Sequence, residues 1–490
     1  MARLPCLFVL AVAALAAGAY AKKYTRDVCI LGGGPAGLSA AAFAKDRGLS
    51  VIVLERENVY GGNCNTEKVD AGPDKPAWLD TGVIAHANTT ALQALFPADG
   101  WTLESPLVAE RFAPGLLLPY PTTAQTPAYL VDWAGGNFSA PYGPLTGGSP
   151  DAFLAAFGRL LDLVKTIPWL NRGRYPDPVP PELLRPFSAI IEEHQLQPLV
   201  PTFFHPILSA LGLTNYSDPE VAPAYLTLLY LKPALLLKLT TPGYGFTIKG
   251  GCIKVYDGMV AHIGAANVIL RANVRRVTRP AADALGGAVS VDFSVGLSQR
   301  SHTASCQHLL VAYPQTPTSL QPLDLDAKEA KAFETFKGFY LYTLEVAVEG
   351  PLASQAYNFI NADLSSPGAA GAVKEGRYPG LNRFIGSMPG FPAAGVAVAL
   401  EPLSTKAMRK IVKAQLAKVP TSYITKATIL KIDAHTNYFP HASTASLAGP
   451  SPNAYAQREA LQGYRRTRWI SNQGDVALAW QNSYAAVQAL

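Results

Sequence analysis

Gly32, Gly34 and Gly37 stand in a GxGxxG spacing with Pro35 and Ala36 inside it, and Glu55 lies 23 positions after Gly32. These residue types at these intervals suit the holding of a dinucleotide. The first glycine permits a sharp turn, the second lets backbone approach a pyrophosphate, and the third lets a helix pack against a strand. An acid roughly 20 residues further on accepts ribose hydroxyls and would repel a 2′-phosphate. Soon after Glu55-Arg56 comes a second glycine pair, Gly61-Gly62, followed by Asn63.

The elements that must position these groups are legible in the same stretch. Residues 28–31 form an apolar run suited to a parallel strand buried on both faces. A helix is predicted over residues 35–47, its unpaired amides and positive dipole end meeting the phosphate position. Ala36, Ala40, Ala41, Ala42 and Ala44 keep it slim, Gly48 ends it, and residues 50–54 supply a second strand with Glu55 at its tip.

Two loops carry candidate catalytic groups: PGYGF, residues 242–246, offers Tyr244, and YFPHAS, residues 438–443, offers His441. No GxSxG, HExxH or acid pair accompanies them, which fits chemistry carried by a cofactor's electron sink. Cys306 has His302 and His308 nearby, but no CxxC or HxxxH supports a zinc set, so no metal is expected.

The chain has 490 residues, 49% of them hydrophobic, enough for a large core. Its formal charge of +6 is thinly spread, with 16% charged residues and no long Lys/Arg run, which excludes a nucleic-acid surface. Arg3, the apolar run 7–17 and Ala19-Tyr20-Ala21 predict a cleaved signal peptide over residues 1–21. That run is shorter than the roughly 20 apolar residues a membrane span needs. Segment 221–239 is apolar but holds Pro223, Lys232, Pro233 and Lys238, so no span is expected in the mature chain.

Secretory entry, to the extracellular space or an endomembrane lumen, makes Asn88, Asn137 and Asn215 glycosylation acceptors. It leaves Cys29, Cys64, Cys252 and Cys306, whose three complete pairings stay open. Cys29, inside the first strand, is expected to be a packed thiol. Helices are predicted over 151–167 and 181–196 and a strand over 339–348.

Glu55-Arg56 followed by Gly61-Gly62-Asn63 resembles the segment that carries flavoproteins of the flavin amine oxidase superfamily past the pyrophosphate toward the isoalloxazine. Trp78-Leu79-Asp80-Thr81-Gly82-Val83 is similar to the DxG segment that follows there, and Lys249-Gly250-Gly251-Cys252 to the one preceding a cofactor-domain helix. The resemblance implies an extended FAD between the two glycine turns. It also implies an α/β fold, with a Rossmann-type FAD-binding domain assembled from residues 22–90, 245–320 and 440–490. An α+β substrate domain would come from 91–244 and 321–439.

Carried over residue by residue, Val274 would contact adenine through its backbone, and Trp469, Gly474, Asp475 and Trp480 would approach the flavin. The usual glycine after the Trp469 position is absent, and a core helix bearing Trp480 explains the last residues equally well. A cysteine linkage of the monoamine oxidase type is excluded, because the last cysteine is Cys306. PGYGF and YFPHAS resemble the branch holding polyunsaturated fatty acid isomerases and β-cyclopiazonate dehydrogenases. The implied activity is FAD-dependent oxidation of a small apolar organic substrate by hydride transfer to flavin N5, with oxygen a candidate acceptor. Alternatives are redox-neutral isomerisation of a fatty acid, a secreted amine or amino-acid oxidase, and a flavin-binding interaction protein without catalysis.

Overall fold

The computed structural model describes residues 21–69, 78–83, 85–95, 103–119, 127–139, 149–167, 169, 175–213, 215, 217–219, 221–231, 243–281, 286–297, 300–363, 374–386, 391–470 and 476–490. Residues 1–20 of the expected signal peptide, residues 232–239 of the apolar segment, Pro242, Gly474 and Asp475 lie outside them.

A parallel sheet forms the first half. The strands Lys23–Leu31 (β1), Val51–Leu54 (β2) and His302–Val311 (β3) make its centre, β1 between the other two. Val268–Ile269 pairs with β2 on the outside, and Thr467–Trp469 with the end of β3. All these pairings are parallel, and Val28–Leu31 and Val51–Leu54 are wholly buried, as apolar strands covered on both faces must be. An antiparallel ribbon, Ala272–Thr278 with Val289–Val295, joins the first residues of β3. Helices Pro35–Asp46 (α1), Ile253–Ile263 (α2) and Val476–Gln488 (α3) cover one face. Small residues let α1 sit close: Ser483 of α3 donates through Oγ to the Ala36 carbonyl at 2.8 Å.

The second half is a mixed sheet. Its order is Lys426–Ala442 (β4), Phe336–Glu349, Ala393–Ala399, Gly380–Gly386, Tyr357–Asp363, Ala128–Asp132 and Asn137–Phe138. Helix Thr405–Leu416 packs on it through Met408, Val412 and Leu416. A helical insertion including Pro150–Lys165, Phe187–Glu193, His205–Leu211 and Ala224–Tyr230 shares one apolar cluster with the uncovered face of the parallel sheet.

Three expectations change. The helix expected over 181–196 is split into a 3-10 turn, Pro181–Leu184, and a helix, Phe187–Glu193, because Pro186 removes a donor and holds Arg185 extended. Ser105–Phe112 and Leu117–Pro119, assigned by sequence to the substrate segment, pack with the parallel-sheet half: Leu117–Pro119 pairs with Gly245–Ile248, and Gly258 of α2 closes on the Phe112 carbonyl. Cys29 is no free thiol. It is bonded to Cys306, with Cα atoms 5.7 Å apart, while Cys64 is bonded to Cys252. β1 bulges just before Cys29, where the amides of Asp27 and Val28 both donate to the Ser50 carbonyl at 3.0 Å.

Among the described residues no helix is long and apolar enough to cross a membrane.

Candidate dinucleotide site

β1 ends at Leu31 and delivers Gly32 to the edge of the parallel sheet, where its N–H donates to the Leu54 carbonyl at 2.9 Å. Gly32 has φ +105°, and a Cβ there would lie 3.1 Å from the Ala312 carbonyl oxygen. At Gly37 a Cβ would fall 1.8 Å from the Gly32 carbonyl oxygen, so helix and strand can meet only without a side chain. Gly34 caps α1 with no side-chain acceptor, Pro35 follows, and no acid stands in the first turn. The amides and dipole at this end are therefore open to an anion.

Glu55 is held by backbone on all sides. Its carboxylate accepts from the Gly33 N–H at 2.6 Å and the Glu57 N–H at 2.7 Å. Its own N–H donates to Ile269, and its carbonyl accepts from Ala272. A carboxylate has about four lone-pair positions, so hydroxyl donors can still be accepted. Val274 lies half-buried two residues beyond Ala272 on the same strand. Arg56 points away into solvent, its guanidinium 3.1 Å from Glu57.

The two glycine turns touch each other. Gly61 N–H donates to the Gly33 carbonyl at 2.8 Å, and a Cβ on Gly62 would lie 3.0 Å from Gly34 Cα. Asn63 continues the turn, its carbonyl accepting from Val83 at 3.0 Å, and Gly82 closes on the same carbonyl oxygen. A cradle that any Cβ would fill, an open helix end and an acid fixed beside it fit an adenine dinucleotide.

The catalytic candidates occupy different surroundings. Tyr244 packs against the small cluster of Ala87, Leu92 and Ala477, close to the start of α3. His441 is buried near the end of β4, with Nδ1 2.8 Å from the Phe439 carbonyl oxygen. Trp480 is fully buried in the core shared with α1, its ring 5.8 Å from that of His86, which stacks on Phe246. Trp469 is also a core residue, its ring 4.6 Å from Phe333.

The sequence reading missed what fastens the second turn. Thr66 donates to Asp80 Oδ1 at 2.5 Å, the Cys252 N–H donates to the same carboxylate at 3.1 Å, and Ile253 N–H donates to Thr66 Oγ1 at 3.2 Å. Burial pushes the Asp80 carboxyl up to about 6, against the lowering pull of these donors. Asp80 had a signal in the DxG resemblance and Cys252 in the segment before α2, but nothing in the sequence joined the two. Past the turn, Asn65 Nδ2 reaches Asp433 on β4 at 2.8 Å, and Lys431 pairs with Glu67 and Asp433. The cofactor loop is thus tied to the second sheet. Near the end of β4, Tyr230 stacks on Phe439 at 4.4 Å, and Tyr438 and Phe339 close the group. Among the described residues no three His, Cys, Asp or Glu side chains converge on a metal position.

Residues 30–96 match the NAD(P)-binding Rossmann-like domain family. An uncharacterized mimivirus protein, R656 of Acanthamoeba polyphaga mimivirus, is 30% identical over 95% of this chain and 92% of its own. The FAD-dependent oxidoreductase dpchF of Colletotrichum higginsianum is 23% identical over 94% of this chain and 92% of its own. β-Cyclopiazonate dehydrogenase of Aspergillus oryzae is 30% identical over 42% of this chain and 40% of its own. The chain belongs to one family with the mimivirus protein, and it is similar over most of its length to proteins named FAD-dependent oxidoreductases. In fold, a fatty acid isomerase from P. acnes superposes with a TM-score of 0.67 at 18% identity, covering 95% of this chain and 98% of that one.

Proposed function

We propose that this oxidoreductase binds FAD between its two glycine turns and oxidises a small apolar organic molecule. The contact of Gly62 with Gly34, beside the backbone-held Glu55, carries the first part. FAD held there would supply a ring that accepts a hydride from a substrate carbon. The open end of α1 would hold the pyrophosphate, Glu55 the ribose and the Val274 backbone the adenine. Gly474 and Asp475 remain candidates at the flavin end.

Apolar side chains mark the substrate side. Ala224–Tyr230 is buried at every position, and the rings of Tyr230, Phe439, Tyr438 and Phe339 exclude water near the end of β4. Beside Tyr438, burial lowers His435, which suits a neutral partner. Tyr244 and His441 are the proposed substrate-side groups. The second reading, isomerisation of a fatty acid, draws on the fold shared with the P. acnes fatty acid isomerase and on the apolar character of the helical insertion.

One experiment separates the readings. The purified holoprotein is mixed anaerobically with linoleic acid, then with amines and other small apolar molecules. Bleaching of the flavin band supports oxidation, and conjugated-diene absorbance without net bleaching supports isomerisation. A response to amines alone, with peroxide released in air, points to an amine oxidase. Silence toward every substrate leaves a binding protein, and a colourless preparation that takes up no FAD removes the assignment.

Secretory maturation belongs to the same proposal. The two disulfides suit an oxidising compartment, and Asn137 is exposed in a hairpin. A mobility shift of the expressed chain on treatment with an N-glycosidase is the expected result, and an Asn137→Gln chain should lose part of it.

A further inference from the structure

The second glycine turn lies between the caps of two helices and is held to each in a different way. On one side is the cap of α1, met only by van der Waals contact and the Gly61–Gly33 hydrogen bond. On the other is the first turn of α2, to which the loop is covalently joined through Cys64 and Cys252. Ile253 of α2 fills the space beside Gly61, where a Cβ would lie 2.9 Å from its Cδ1. The same end of α2 is tied down by Asp80 and Thr66.

The loop itself has little intrinsic order. Gly61 and Gly62 both take positive φ, +104° and +55°, and adjacent glycines lose more conformational freedom on ordering than any other pair. A loop ordered only when its ligand arrives weakens binding by that amount, whereas one ordered beforehand does not. Cys64 follows Gly62 by two residues and bonds back to Gly61 at 2.9 Å, so its disulfide fixes the whole turn to a rigid helix. Cys29–Cys306 differs, since it joins β1 and β3, already hydrogen-bonded neighbours.

We propose that Cys64 and Cys252 are positioning residues for the cofactor. Their bond holds the second glycine turn against the first, so that the cleft between them exists before FAD enters. This rests on the FAD reading above. The second disulfide serves stability and leaves cofactor affinity alone.

The test compares three full-length proteins, wild type, Cys64→Ala/Cys252→Ala and Cys29→Ala/Cys306→Ala, each stripped of flavin and retitrated with FAD by fluorescence quenching. Apoprotein melting and the vibronic shoulders of the bound flavin band are recorded in parallel. The Cys64→Ala/Cys252→Ala protein should bind at least tenfold more weakly, about 1.4 kcal/mol, with blurred shoulders. The Cys29→Ala/Cys306→Ala protein should melt lower yet keep its dissociation constant within twofold. Equal affinity in a cooperatively melting Cys64→Ala/Cys252→Ala protein overturns the proposal. If that variant does not fold, the wild-type holoprotein is treated with graded dithiol and its cleaved bonds mapped: FAD release that tracks cleavage of Cys64–Cys252 supports it, and retention after cleavage overturns it. Wild-type apoprotein that takes up no FAD would instead defeat the functional reading itself.

Discussion

Single side chains decide whether the cradle can exist. Gly37→Ala would put a methyl 1.8 Å from the Gly32 carbonyl oxygen, so helix and strand must separate. The expected outcome is a protein recovered without flavin and with lowered melting temperature. Glu55→Gln keeps the shape but leaves an amide beside the donor amides of Gly33 and Glu57. Retitrated with FAD, it should bind about tenfold more weakly, in the range of a lost charge-assisted hydrogen bond. Asp80 gives a pH signature. Its carboxyl is raised from 3.8 to about 6 by burial, so the folded chain takes up a proton that the unfolded chain does not. The stability this confers is full below about 4 and is lost as pH rises through about 6. Asp80→Asn should therefore gain on wild type between pH 5 and 8 by on the order of 1–3 kcal/mol, read as the difference between urea curves. His205, lowered from 6.5 to about 4, contributes in the opposite direction, and subtracting the variant isolates Asp80. The glycines and Glu55 were legible because their chemistry depends on local spacing. Asp80's partner Cys252 lies 172 positions away, and nothing local names it.

At the scale of elements, close packing of α1 rests on small residues on both sides. Ser483 is fully buried and bonds to Ala36, so Ser483→Leu forces a larger group into that seam. A loss of about 1–3 kcal/mol in chemical denaturation is expected. The βαβ unit from β1 to β2 was readable since apolar runs, alanines and turn glycines agree there. Helix 181–196 was not, because the apolar rhythm continues across Pro186 while the backbone cannot. Strand Val289–Val295 gave no chemical signal of its own, and its place is set by pairing with β3. The free thiol expected at Cys29 failed for a related reason: burial in a strand suits a disulfide as well as a thiol, and only the neighbouring strand decides.

The whole molecule depends on distant segments meeting. Arg279, after strand Ala272–Thr278, bonds Glu329 at 2.5 Å and Asp324 at 2.7 Å, and Arg465 joins the same carboxylates. Arg279 and Glu329 are both buried, so Arg279→Met leaves a poorly compensated carboxylate inside. Unfolding curves should show a loss of about 3–5 kcal/mol. The interleaved plan could be anticipated from motif resemblance, but the seam at Ser105–Phe112 could not, since its reason is a glycine on α2 more than a hundred residues later. The disulfide Cys64–Cys252 spans 188 residues and Cys29–Cys306 spans 277, the first nested inside the second. A protease that nicks the backbone once between Cys64 and Cys252 therefore produces fragments that migrate as one band until a reducing agent is added.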